Sequence, residues 1–242
     1  MNKKLLFQAI TKYLLGLIIV FLLLFVPAAS LSYWNAWLFI GLLFIPMFIF
    51  GLILMFKNPT LLKNRLNVKE KESDQKLVII LSAIMFILGF SIAGLNYKYN
   101  WTHISNTVVT ISSIVFVISY ILYAEVLREN TYLSRTIEVV DKQKVIDTGM
   151  YSIVRHPMYT ITIILFLMIP LILGSIISFL IFLIYPFIII IRINNEEKVL
   201  KKELKGYKEY MKKVKYKLIP YICWNTILKK SITDIFIVLI II

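Results

Sequence analysis

Long apolar runs alternate with short polar segments along this chain, and the lengths of the runs predict its architecture. A hydrocarbon layer of about 30 Å takes about 20 mostly apolar residues in a helix. Four stretches meet that length: Tyr13–Leu31, Trp34–Phe56, Leu77–Leu95 and Thr107–Leu127. A fifth, Tyr159–Ile191, is 33 residues long and holds Pro170 and then Gly174-Ser175 near its middle. Proline removes a backbone donor and Gly-Ser tolerates a tight turn, so this stretch predicts a helical hairpin with arms Tyr159–Ile169 and Ile176–Ile191. Beyond it, Arg192–Lys217 reads as an amphipathic helix. Leu200, Leu204, Tyr207, Met211 and Val214 recur every three or four residues, and lysines occupy much of the remaining surface. Such a helix is expected to lie on the inner leaflet as an anchor. Residues Ser231–Ile242 are apolar after Asp234 but too few to cross, and are expected on or in the bilayer or against the bundle. The predicted fold is all-α: a multi-pass membrane helical bundle over 1–242, with four transmembrane helices in 1–127, a C-terminal helical hairpin and a cytoplasmic amphipathic helix.

Composition supports a membrane protein and narrows its partners. Apolar residues make up 60% of the chain, beyond what ordinary soluble domains reach. A net charge of +14 raises nucleic acid as a partner, yet the basic residues sit between apolar runs, where anionic lipid headgroups account for them. Of the 27 Lys and Arg, Lys98 alone falls in the turns on one side (32–33, 96–106 and the hairpin tip); the others fall in 1–12, 57–76, 128–158 and 192–230. That bias predicts a cytoplasmic N-terminus and cytoplasmic polar segments, in the plasma membrane of a prokaryote. Lys3 and Lys4 precede an apolar run too long for a signal peptide, which reads as a retained first helix. Cys223 is alone and His103 lies on the outer side, so no metal cage is expected.

The polar segments differ in kind. The 57–76 segment holds Lys57, Lys63, Arg65, Lys69, Lys71 and Lys76 and reads as a solvated, lipid-facing loop with no pattern that a reaction requires. The 128–158 segment mixes Arg128, Glu129, Arg135, Glu138, Asp141, Lys142, Lys144 and Asp147 with turn formers. Arg155-His156-Pro157 sits where this loop re-enters the hairpin, which places a titratable ring at the membrane boundary. Arg192 and Glu196 are four apart on one helix face, as an intrahelical salt bridge or as parts of a site. Plainer roles exist for each group. His156 could cap the hairpin entry, Tyr151 and Tyr159 could be interfacial aromatics, and Glu196-Glu197 could be acids favoured near a helix N-terminus.

The string Gly149-Met150-Tyr151-Ser152-Ile153-Val154-Arg155-His156-Pro157-Met158-Tyr159, followed by Arg192 and Glu196-Glu197, resembles the isoprenylcysteine carboxyl methyltransferase family and its phospholipid methyltransferase relatives. The same order holds for Glu129-Asn130, Ser134-Arg135, Gln143-Lys144-Val145-Ile146 and Tyr207…Tyr210…Leu218-Ile219-Pro220, so the resemblance covers roughly residues 120–221. It implies a membrane enzyme that uses S-adenosylmethionine without a Rossmann domain. The catalytic region would be 128–221: the inner loop, the hairpin 159–191 and the amphipathic helix 192–217. By resemblance the cofactor is contacted by Gln143, Lys144, Val145, Ile146, Tyr151, His156, Pro157, Met158, Tyr159 and Glu196, and Arg192 serves the methyl acceptor. Relatives usually carry a glycine two residues after the motif tyrosine, where this chain has Ile161.

The residue types suit that chemistry. S-adenosylmethionine carries an ammonium, a carboxylate, a sulfonium and an adenine. Glu196 can accept from the ammonium, His156, Lys144 and backbone N–H groups can donate to the carboxylate, and Tyr151 and Tyr159 offer ring faces. The acceptor is expected to be lipidic or prenylated, a small molecule or a protein terminus, and methylated at a carboxylate. With an amine acceptor, as in a phospholipid N-methyltransferase, His156 or Glu197 becomes the candidate base. A nicotinamide-dependent membrane reductase of the steroid-reductase type is the rival enzyme class, with Arg128, Arg135, Lys142 and Lys144 as its phosphate-binding cluster. A membrane scaffold or transport component is the non-enzymatic rival.

Overall fold

The computed structural model describes residues 3–67, 73–134, 136, 139 and 143–220, with the side chains of 73 and 74 excepted. Lys69, Lys71, Arg135, Glu138, Asp141, Lys142, Cys223 and the apolar tail Ser231–Ile242 lie outside the described residues. All regular structure described is helical. Four long helices follow the predicted spans: α1 (Lys3–Ala28), α2 (Trp34–Lys57), α4 (Ser73–Tyr99) and α5 (Asn106–Glu129). Together with the stretch Ile176–Glu203 they make five helical segments long and apolar enough to cross a membrane.

Helices in lipid gain little from hydrophobicity against one another, so close packing and backbone satisfaction hold the bundle. The packing centre is aromatic: Phe86 meets the rings of Phe166 and Phe182 edge-on at 5.0 and 5.5 Å, and Phe39 and Phe116 are fully buried beside them. α1 and α4 approach backbone to backbone at Gly94, where an added Cβ would stand 2.5 Å from the Leu24 carbonyl oxygen. A main-chain atom cannot turn aside. Gly94→Ala is therefore expected to cost about 1–3 kcal/mol by overpacking, read as a lowered Tm of the protein in detergent micelles.

The hairpin forms as predicted, with different boundaries. Its first arm is α6 (Pro157–Ile172), which carries Pro170 inside its last turn; the chain reverses at Gly174, whose φ of +77° suits a residue without a side chain. Polar groups from the other helices cap this reversal. Tyr33 donates to the Leu173 carbonyl at 2.5 Å, Asn35 to Ile172 at 2.7 Å and Asn96 to Gly174 at 3.3 Å, so carbonyls at the helix end are satisfied inside the bundle. The second arm is two helices, α7 (Ile176–Phe182) and α8 (Tyr185–Glu203). The break falls at Leu183-Ile184, just ahead of Pro186, which has no N–H to continue the ladder.

Two expectations need correction. The 57–76 segment is not simply a solvated loop, because α3 (Pro59–Leu66) forms there. Asn58 accepts from the Leu61 N–H at 3.1 Å, Pro59 opens the helix, and Leu61 and Leu62 bury against Leu5, Leu54, Met55 and Leu127. The Lys12 ammonium donates to the Leu66 carbonyl at its far end. Nor is Arg192–Lys217 one helix. Its first part continues α8; Leu204 turns extended and Gly206 is left-handed at φ +86°, after which α9 (Tyr207–Lys213) begins. The apolar stripe of this segment faces protein, since Leu204, Tyr207, Tyr210 and Val214 are buried with Val139, Val145, Leu200 and Met211 packed on them.

Candidate functional site

At the basic end of the bundle, three segments distant in sequence surround one cleft. The first is the return from the polar loop. Gly149, at φ +47°, opens a tight 3-10 turn over Gly149–Ser152, and the Glu129 carboxylate at the end of α5 accepts from Thr148 Oγ1 at 2.9 Å and from the Met150 N–H at 3.3 Å. A Cβ on Gly149 would stand 2.2 Å from Glu129 Oε1. This anchoring turns Tyr151 inward, and the Tyr210 hydroxyl donates to the Tyr151 carbonyl at 2.7 Å. Gly149→Ala combines a strained backbone with displacement of Glu129, and is expected to lower stability by about 1–3 kcal/mol, checked by thermal unfolding beside wild type. A second tie holds the same loop to α9: Lys213 donates to Asp147 at 2.7 Å and holds that carboxyl below its usual range. The pair's contribution is present at neutral pH and is lost as pH falls through the depressed value.

The second segment is the turn at Arg155-His156-Pro157. His156 precedes α6, but its side chain makes no cap bond; the ring goes to Glu197, with Nε2 3.3 Å from Oε1. Arg155 Nε donates to the same oxygen at 2.8 Å, and its Nη1 donates to both the Val214 and the Lys215 carbonyls, at 2.7 and 2.9 Å. Backbone bonds from Arg155 to Tyr216 and from His156 to Lys217 lay the segment after α9 along this turn. Lys217 completes the cluster 3.3 Å from Glu197 Oε2. Glu197 is only 2% exposed and is not part of the cleft wall, so it balances the buried charges and is not a base facing a substrate. Glu197→Ala would strand a buried guanidinium, at an expected cost of about 3–5 kcal/mol, measurable as a fall in Tm.

The third segment is α8. Arg192 and Glu196 lie one turn apart, and the Tyr159 hydroxyl stands between them. It donates to Glu196 Oε2 at 2.5 Å and accepts from Arg192 Nε at 2.8 Å, while the guanidinium carbon lies 5.9 Å from the Tyr159 ring centre. A cation and a carboxylate thus share one phenol at the wall of the cleft. The empty space of the cleft is about 800 Å³ with the open solvent at its mouth included.

Of the residues singled out by sequence, Gln143, Lys144, Val145, Ile146, Tyr151, His156, Met158, Tyr159, Arg192 and Glu196 all line this cleft. Pro157 does not; it is buried as the first residue of α6. Ile161 packs into the core, so the residue in the place of the relatives' glycine does not form the wall. Arg128 pairs with Glu125 at 2.6 Å on the exposed side of α5, which removes it from the proposed phosphate cluster. Sequence reasoning gave no site role to Asn130, Leu200, Leu204, Tyr207 or Tyr210, which also line the cleft. The apolar stripe at 200–214 is the signal for the last four, and it faces protein rather than the lipid expected for an anchor helix.

The wall carries two buried phenols. Among the described residues the hydroxyls of Tyr151 and Tyr207 have no hydrogen-bond partner of good geometry, although the Asn130 side chain stands near that of Tyr151. Burial pushes both phenols well above their ordinary pKa, with nearby Glu196 adding to the rise, so both are neutral donors at physiological pH. Buried polar atoms without partners are rare in native proteins, and these two belong to the lining of a cleft that also carries a carboxylate, a guanidinium, an imidazole and an ammonium.

Residues 101–206 match the family model described as phospholipid methyltransferase. That span runs from the turn before α5 to Gly206 and takes in every site residue expected from sequence. No curated protein matches the chain. The family is one of membrane methyltransferases that generally use S-adenosylmethionine. Over this region, somewhat less than half of its length, the chain is similar to the phospholipid methyltransferase family.

Proposed function

We propose that this protein transfers a methyl group from S-adenosylmethionine to a lipidic or lipid-attached acceptor, at a carboxylate, on the cytoplasmic face of the membrane. The observation that carries the proposal is the Arg192–Tyr159–Glu196 arrangement, one phenol bonded to a cation and a carboxylate on the wall of one cleft. Residues 128–221 are the proposed catalytic region.

The cleft fits such a cofactor on its donor set. Glu196 would accept from the ammonium; a carboxylate has about four acceptor positions, of which Tyr159 uses one. Lys144, His156 and the backbone of 143–146 line the cleft as donors for the carboxylate. The buried hydroxyls of Tyr151 and Tyr207 suit the hydroxyls and ring nitrogens of an adenosine. When bound, S-adenosylmethionine supplies an electrophilic methyl on a sulfonium.

Transfer of that kind is an in-line displacement, so the chain's task is to position and to exclude water. Arg192 presents a planar fork that pairs with a carboxylate through two parallel bonds, and Tyr159 fixes its direction by accepting from Nε. A carboxylate acceptor is already the nucleophile and needs no proton removed. An amine acceptor needs a base, and Glu197 is committed to Arg155, His156 and Lys217. N-methylation is the second reading, favoured by the family description; it would leave His156 to take the proton. The test is to feed methyl-labelled methionine to cells with the intact chain or with Arg192→Ala, and to examine lipid and membrane-protein extracts by mass spectrometry. The expected product is a labelled methyl ester that releases methanol in base; a labelled methylamine would overturn the carboxylate assignment.

A further inference from the structure

A second arginine stands beside the cleft, outside the region matched by the family. Arg65, in the last turn of α3, points its guanidinium at the end of α5 and the start of α6. It donates to the Tyr123 hydroxyl and to the Ser134 carbonyl at 3.3 Å, lies 3.9 Å from the Met158 sulfur and sits 5.7 Å from the Tyr123 ring centre. Every one of these partners is neutral. Among the described residues no carboxylate lies within ion-pair distance of Arg65, whereas Arg128 and Arg155 each pair with a glutamate. A half-buried guanidinium whose partners are all neutral carries a charge with no counter-ion.

Its position names the missing anion. Ser134 and Met158, which it touches, are also part of the cleft wall, so Arg65 is one side chain away from the cleft. α3 begins just past the last residue of the α2 span, and Tyr123 lies six residues before the end of α5. Both place the guanidinium where the apolar spans give way to polar segments, the level of lipid phosphates. A planar fork matches an oxyanion through two parallel bonds, and the Tyr123 hydroxyl adds a polar group beside it.

We propose that Arg65 and Tyr123 form a headgroup subsite that takes the phosphodiester of a membrane lipid at the edge of the cleft. The subsite rests on the lipidic-acceptor reading: a lipid held there by its phosphate has its headgroup directed past Met158 towards Tyr159 and Arg192. Free phosphate has the same oxyanion chemistry and is the source to be distinguished.

The test uses the full chain in dodecylmaltoside micelles and three probes: dihexanoylphosphatidylglycerol, dihexanoylglycerol, which lacks the phosphate, and inorganic phosphate. Binding is measured by titration calorimetry. Wild type is expected to prefer the phosphate-bearing lipid over dihexanoylglycerol by about tenfold, one charged hydrogen-bond set. Arg65→Gln abolishes that preference and Lys63→Gln, an exposed neighbour on α3, keeps it. If Arg65→Gln does not fold, Arg65→Lys carries the test, with the preference reduced about threefold through loss of the fork. An unchanged preference in the Arg65 variants overturns the proposal. So does inorganic phosphate binding as tightly as the lipid, which would make this a free-anion site. S-adenosylhomocysteine binding, measured on the same samples, reports on the methyltransferase reading separately.

Discussion

Replacing Arg192 by alanine is expected to cut methyl transfer by about 10²- to 10³-fold, the cost of removing one preorganised charged donor from a reaction centre. S-adenosylhomocysteine affinity should change by no more than about threefold, since Arg192 meets Glu196, the carboxylate proposed to bind the cofactor, through the Tyr159 hydroxyl. The split between turnover and cofactor binding is the informative part. Arg192→Lys should recover little, because a point charge replaces a fork and loses the Nε–H that bonds Tyr159. Turnover with saturating cofactor and titration calorimetry on the same preparations separate the two quantities. Retained turnover in Arg192→Ala would remove Arg192 from the acceptor site.

Glu196→Ala should act on the other side of the same phenol. Loss of a charged hydrogen bond to the cofactor's ammonium is expected to weaken S-adenosylhomocysteine binding about tenfold to a hundredfold. Glu196→Gln keeps an acceptor for Tyr159 and removes the charge, so it should show most of the same loss. Full affinity in Glu196→Gln would mean that the ammonium is held elsewhere. Neither substitution should reproduce the instability expected for Glu197→Ala, although the two glutamates are adjacent. Glu196 is on the cleft wall and Glu197 is sealed among Arg155, His156 and Lys217.

The spans and the hairpin were legible in the sequence because in a membrane both follow from local composition: twenty apolar residues cross, and Gly174-Ser175 beside Pro170 reverses. α3 was missed although its start signal, Asn58-Pro59, is plain. Its two buried leucines sit in a 57–76 segment that holds six basic residues, and only the pocket formed by α1, α2 and α5 makes their burial worthwhile. The break at Leu204–Gly206 was hidden for the opposite reason, since the apolar periodicity continues through it. At the site, Tyr151, Tyr159, Arg192 and Glu196 were found because a family string carries them in order. The string does not say what each touches. That Tyr159 joins Arg192 to Glu196, that Glu197 is a buried counter-ion, and that Arg65 touches two residues of the cleft wall from a distant helix are consequences of tertiary placement alone.

The proposed function requires a pocket for a sulfonium donor at the basic end of this bundle. Titration calorimetry of S-adenosylhomocysteine and of NADPH into the purified full-length chain tests it most directly. S-adenosylhomocysteine is expected to bind saturably, one to one, and more weakly in Glu196→Ala, with no saturable binding of NADPH. Binding of NADPH with no response to S-adenosylhomocysteine would contradict it.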